Sequence, residues 1–134
     1  METNMVLGFE HFGLMAKDPG QLAAWYQEKF GLRVVSDNGK NPPTIFVAGM
    51  EGPAVEIQPY SEDAVVLASP GERRGVHLAI RVADFDQAYV ELKTKGLHFC
   101  GEPKEYPGEG VKLSFFQDPE GNWGQIIYRA ETLK

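Results

Sequence analysis

Two stretches of this sequence share one layout, 66 positions apart. Glu10-His-Phe-Gly-Leu-Met-Ala-Lys-Asp18 and Val76-His-Leu-Ala-Ile-Arg-Val-Ala-Asp84 each read as an alternating strand, with His second and Asp last. Three residues after each Asp stands Gln21 or Gln87. Asp-x-x-Gln is a variant of the capping box that opens a helix: the Asp carboxylate accepts a backbone N–H and the Gln reaches back. Pro19 suits the first helical position. Apolar residues then recur at helical spacing, as Leu22, Trp25, Tyr26 and Phe30, and again as Phe85, Ala88, Tyr89 and Leu92. Each stripe ends near a glycine, Gly31 or Gly96, which fits a left-handed cap.

Strand-like segments follow each helix. They are Leu32–Val35, Thr44–Ala48 and Ala54–Gln58 in the first half, and Leu97–Cys100, Val111–Phe116 and Trp123–Tyr128 in the second. Turn chemistry separates them at Asn38-Gly39, Asn41-Pro-Pro43, Gly52-Pro53, Pro107-Gly108 and Asp118-Pro-Glu-Gly-Asn122. Each half therefore reads strand, helix and three strands. Roughly 60 residues bury too little surface to fold alone. The expected architecture is one α+β domain of two βαβββ modules. Module one covers about 5–60, a linker 61–75, and module two 76–130; residues 61–67 read as a short helix or an edge segment.

Composition narrows the function. The chain has 134 residues, 43% of them hydrophobic, which supports a core and excludes wholesale disorder. Its formal charge is −6, the wrong sign for a general nucleic-acid binder. No apolar run approaches the roughly 20 residues of a membrane helix, and the start does not read as a signal peptide. With Cys100 as the one cysteine, no internal disulfide forms, and a reduced, cytoplasmic protein is the expectation. Cys100 reads as buried rather than reactive and His98 as a surface or rim residue. The glycine turns lack phosphate-loop spacing.

Strand side chains alternate between faces. With Phe12, Leu14 and Ala16 turned to the helix, His11 shares the other face with Gly13 and Met15. By the same parity His77 joins Ala79 and Arg81, Glu56 joins Gln58, and Gln125 joins Trp123 and Ile127. A histidine on a half-buried strand often serves as a hydrogen-bonded structural residue, and a glutamate on an open face is often only solvated. Here two of three histidines fall at equivalent repeat positions. His11, Glu56, His77 and Gln125 together offer two imidazoles, one carboxylate and one amide oxygen. That set suits a divalent cation: Zn, Ni, Mn, Fe or Co. With Glu56 ionised the centre keeps about +1 formal charge and polarises a substrate oxygen.

These residues resemble the vicinal oxygen chelate superfamily, which includes glyoxalase I, extradiol dioxygenases, methylmalonyl-CoA epimerase and the fosfomycin and bleomycin resistance proteins. Glu10-His11-Phe-Gly-Leu with Asp18 resembles its opening strand and helix start. Phe30-Gly31-Leu32 resembles the turn after the first helix, and Val76-His77-Leu-Ala with Asp84 the second module. Asp118-Pro-Glu-Gly-Asn122 followed by Gln125 resembles the closing turn and final ligand strand. The resemblance implies paired modules whose sheets curl into a cup around a metal or ligand, with His11, Glu56, His77 and Gln125 as the positions to hold the metal. It also implies a homodimer, in which the four ligands come from one chain or from two.

The expected activity is that of a metal-dependent lyase or isomerase of glyoxalase type. It acts on a small substrate with vicinal oxygens, and Glu56 moves a proton through an enediolate. Bacterial glyoxalase I usually carries a glutamate where this chain has Gln125, which leaves Glu56 as the carboxylate base. Met15, Phe46 or Phe116, and Trp123 are expected to wall the pocket. Arg81 is a candidate for a substrate anion; Arg73 and Arg74 read as solubility residues. One alternative is a non-catalytic small-molecule or drug-binding protein of the bleomycin-resistance type. A less favoured one is an Fe(II) extradiol dioxygenase, whose carboxylate ligand normally sits on the last strand.

Overall fold

A computed structural model describes residues 5–60 and 76–133. The expected linker 61–75, with its segment 61–67 and with Arg73 and Arg74, lies outside the described residues. The described residues form two compact units, one within 5–60 and one within 76–133.

The first unit runs β1 (His11–Ala16), α1 (Pro19–Phe30), β2 (Arg33–Asp37), β3 (Ile45–Ala48) and β4 (Ala54–Pro59). Its sheet has the order β1-β4-β3-β2. β1 and β4 are parallel, and the other pairs are antiparallel. The second unit runs β5 (Leu78–Arg81), α2 (Phe85–Thr94), β6 (Phe99–Tyr106), β7 (Val111–Gln117) and β8 (Trp123–Arg129). Its sheet order is β5-β8-β7-β6, with the same pattern of one parallel and two antiparallel pairs. The repeat in the sequence is thus a repeat of βαβββ topology, and the fold is α+β.

The helix signals work locally. The Asp18 carboxylate accepts from the Gln21 N–H at 3.0 Å, and Asp84 does the same for Gln87 at 3.1 Å. The reach-back half of the box is not used at Gln87, whose side-chain amide donates forward to Glu91 at 3.3 Å. Gly31 ends α1 with φ 66°. Gly96 lies one residue beyond the cap of α2, at φ 91°. There the Leu97 N–H donates to the Leu92 carbonyl at 2.9 Å, the six-to-one bond of a Schellman ending.

Each helix packs its apolar stripe on one face of its own sheet. In module one, Leu22, Ala23 and Tyr26 are buried with Leu14, Ala16, Ile45, Val47, Val55 and Ile57. In module two, Phe85 and Leu92 are buried with Phe116 and Ile126. Full burial of one such side chain contributes about 1.5–3 kcal/mol. Trp25 and Phe30 remain half-buried and pack edge-on against each other at 5.9 Å.

The last module departs from expectation in β6. A strand over Leu97–Cys100 is expected, and the observed strand is Phe99–Tyr106. Gly101 and Pro103 suggest a break, yet they occupy a register irregularity, and pairing resumes at Lys104 opposite Leu113. β6 lies at the edge of its sheet. A proline without an N–H and a glycine at φ 81° are tolerated at a bulge on such an edge.

Candidate functional site

Parallel pairing of β1 with β4 builds the polar face of module one. Gly13 stands opposite Glu56, and His11 opposite Ala54. His11 and Glu56 are therefore diagonal neighbours on the face turned away from α1. His11 Nε2 lies 3.8 Å from Glu56 Oε1. The other ring nitrogen, Nδ1, is 2.9 Å from Glu10 Oε1. A carboxylate only accepts, so this contact places the proton of neutral His11 on Nδ1 and turns the Nε2 lone pair toward Glu56. The Glu10 backbone is itself held by the ladder: its carbonyl accepts from the Ala54 N–H at 3.0 Å. Phe46 is paired with Glu56 and meets the His11 ring edge-on, with centroids 5.3 Å apart. Met15 lies opposite Gln58, and both are half-buried.

Module two repeats the register with other side chains. Ala79 stands opposite Gln125, as Gly13 does opposite Glu56. His77 immediately precedes β5. Phe115 is paired with Gln125 and meets the His77 ring edge-on at 5.6 Å. Trp123 packs edge-on against Phe115 at 6.1 Å, and Lys104 Nζ lies 6.0 Å from the same ring centroid. Trp123, Gln125 and Ile127 are all buried, whereas Arg81, opposite Ile127, is exposed.

One expected pocket residue points the wrong way. Phe116 is fully buried beside Gly124, on the face that packs against α2. A Cβ on Gly124 would overlap its ring. The residue on the Gln125 face is Phe115. Adjacent phenylalanines differ by one position, and one position reverses the face of a strand side chain. A signal for the right choice exists in the repeat: Phe46 precedes Glu56 by ten residues, and Phe115 precedes Gln125 by ten.

The turn before β8 is tied by one carboxylate. Asp118 Oδ1 accepts from the Glu120 and Asn122 N–H groups, each at 2.9 Å, and Oδ2 accepts from Asn122 Nδ2 at 2.9 Å. Asp118 is thus engaged in shaping the turn that sends Trp123 and Gln125 into β8. His98 is exposed and Cys100 half-buried.

The module-one pair has the spacing of two donors to one ion. At 3.8 Å it is too long for a hydrogen bond. Yet bonds of about 2.0–2.2 Å from an imidazole nitrogen and a carboxylate oxygen to a shared cation span it. Both side chains are reachable, with 36% of His11 and 23% of Glu56 exposed. Among the described residues no three His, Cys, Asp or Glu side chains converge. Module one thus brings an imidazole and a carboxylate together, while module two carries an imidazole and an amide, His77 and Gln125.

With that geometry in view, a family model described as the Glyoxalase/Bleomycin resistance protein/Dioxygenase superfamily matches residues 8–126, and the chain belongs to this superfamily. A superfamily member from Sphaerobacter thermophilus DSM 20745 has the same fold, with a TM-score of 0.74 at 22% identity, over 94% of this chain and 100% of that one. FosX, a genomically encoded fosfomycin resistance protein from Listeria monocytogenes, is similar with a TM-score of 0.70 at 22% identity, over 96% and 94% of the two chains. That structure is of a glutamate-to-glutamine mutant complexed with Mn(II) and 1S,2S-dihydroxypropylphosphonic acid. TnmS3, an antibiotic binding protein from Streptomyces sp. CB03234, matches with a TM-score of 0.73 at 20% identity, over 96% and 100%. No helix among the described residues is long and apolar enough to cross a membrane.

Proposed function

We propose that this protein is a divalent-metal-dependent lyase or isomerase of glyoxalase type, acting on a small substrate with vicinal oxygens. The observation that carries this reading is the His11 Nε2 to Glu56 Oε1 spacing of 3.8 Å, on a register that module two repeats where Ala79, two residues after His77, stands opposite Gln125. The Mn(II) bound by FosX supports a divalent ion in this superfamily. In this reading the two modules form one domain, and His11, Glu56, His77 and Gln125 hold the ion, from one chain or across a homodimer. When bound, the ion supplies positive charge that polarises the substrate's vicinal oxygens and stabilises an enediolate.

The chain's own residues do the rest. Glu56 takes a proton from the carbon beside the carbonyl and returns it at the neighbouring position. A positioned carboxylate of this kind contributes typically 10²–10⁴-fold in rate. Gln125 is neutral and cannot share that duty, so proton transfer is one-sided. Phe46, Phe115 and Trp123 present apolar edges that keep water from the reacting carbon. Arg81, exposed at the end of β5, is the candidate to meet a substrate anion.

A second reading is a small-molecule or drug-binding protein without catalysis. The buried wall of Trp123, Gln125 and Ile127 with Phe115 favours it, as does the likeness to an antibiotic binding protein. Metal analysis of wild type beside Glu56→Gln separates the two. About one divalent ion per chain in both proteins, with turnover only in wild type, is the expected result for an enzyme. Protein that stays metal-free after incubation with Ni²⁺, Zn²⁺, Mn²⁺ and Fe²⁺ overturns it in favour of the binding protein.

A further inference from the structure

We infer that the gap over Gly13 is a subsite for an uncharged hydroxyl or carbonyl oxygen of the substrate, and that Gln58 sets this preference. The inference rests on the metal-dependent reading above. Gly13 lies in the middle of β1, opposite Glu56. A methyl group added there would meet the Gln58 amide nitrogen at 3.5 Å and Glu56 Oε1 at 3.8 Å. Both are ordinary van der Waals distances, and Gly13 is not among the glycines with positive φ. Neither backbone conformation nor packing within the module requires a glycine. A glycine inside a strand is destabilising relative to alanine. The missing side chain therefore leaves open a space that the fold itself has no use for, bounded by an amide and a carboxylate.

The chemistry of that space selects its occupant. Gln58 offers an N–H donor and a carbonyl acceptor, and Glu56 only accepts. β1, β3 and β4 carry no lysine or arginine. An anionic group there would lie against the Glu56 carboxylate with no lysine or arginine of these strands to offset it, leaving only the charge of the bound ion that Glu56 already shares, whereas a neutral oxygen accepts from Gln58 at no such cost. The matched positions of module two are Ala79 and Ile127, so this gap and its amide belong to module one alone. The subsite thus sits beside the one carboxylate of the set, where a substrate oxygen held by Gln58 places the adjacent C–H at Glu56.

The test uses full-length protein with Mn(II) alone, then with hydroxyacetone as the neutral probe and glycolate as the anionic one. Mn(II) affinity is measured by calorimetry. Probe binding is read from paramagnetic broadening of the probe's proton lines. Wild type is expected to bind Mn(II) and hydroxyacetone, and its ratio of glycolate to hydroxyacetone affinity is the reference for the variants, since glycolate also chelates the ion through its carboxylate. Gly13→Ala is expected to keep Mn(II) affinity within about twofold and an equal or higher thermal midpoint, yet to weaken hydroxyacetone by roughly tenfold, the effect of one blocked polar contact. Gln58→Leu is expected to weaken hydroxyacetone similarly, and Gln58→Arg to shift preference toward glycolate. If wild type binds no Mn(II), the metal-dependent reading falls and this one with it. If Mn(II) binds but Gly13→Ala and Gln58→Leu hold hydroxyacetone as wild type does, the subsite alone is overturned.

Discussion

Phe46 and Phe115 hold the same place in the two modules. Each is paired across an antiparallel ladder with a polar residue of the open face, Glu56 or Gln125. Each also packs in a T-shaped contact with its module's histidine, with ring centroids 5.3 and 5.6 Å apart. A perpendicular aromatic neighbour of this kind restrains the imidazole plane.

This relationship separates two neighbours that look alike in the sequence. Phe116→Ala empties a fully buried position and is expected to cost about 3–5 kcal/mol of stability. Phe115→Ala, half-buried, is expected to cost roughly half as much or less, while weakening ligand binding. Denaturant melts of both variants check the order, and a Phe115→Ala protein less stable than Phe116→Ala would contradict the face assignment.

Glu10 is expected to govern the tautomer of His11. In metal-free protein at a pH where the ring is neutral, ¹⁵N imidazole shifts should report the proton on Nδ1, because Glu10 accepts it at 2.9 Å. Glu10→Ala should move the ring toward the Nε2–H form and weaken metal binding by up to about tenfold, the lower end for outer-shell partners. Glu10→Gln keeps an acceptor and should behave as wild type. Module two has Val76 at the matched position, so the effect is confined to His11.

Two buried positions of module two predict opposite signs. Ser114 is buried, and its Oγ has no hydrogen-bond partner among the described residues. Ser114→Ala removes an unsatisfied hydroxyl and is expected to leave stability unchanged or raise it by about 1 kcal/mol. Gly124→Ala, which drives a methyl into the Phe116 ring, is expected to cost about 1–3 kcal/mol. Thermal melts of the two variants should bracket wild type.

Asp118→Ala deletes three accepted hydrogen bonds in one turn. Hydrogen bonds to a charged acceptor are worth about 1.5–3 kcal/mol each when buried and less when partly exposed. A loss of roughly 2–4 kcal/mol is expected. Amide exchange should rise first at Glu120 and Asn122, which donate to that carboxylate.

The Lys112–Asp86 hydrogen bond at 2.9 Å joins β7 to the first turn of α2 and raises the Lys112 pKa above 10.5. A raised lysine contributes its stabilisation fully below 10.5 and loses it as pH climbs through the higher folded value. The stability difference between wild type and Lys112→Met should therefore be constant through neutral pH and shrink only in strong alkali. A difference that shrinks on acidification toward pH 6 would contradict this.

Much of this protein is written locally. Asp18 and Asp84, Gly31 and Gly96 mark helix ends because a cap needs only its own few residues. The 66-residue repeat announces a duplicated βαβββ unit, and two-residue alternation already assigns His11, Glu56, His77 and Gln125 to one kind of face. Ladder register was decided by tertiary structure. Pairing across strands brought His11 Nε2 to 3.8 Å from Glu56, chose Phe115 over Phe116, and carried β6 through Gly101 and Pro103. The physical reason is that periodicity says which side chains share a face, while distances across a sheet depend on which residues of distant strands stand opposite one another.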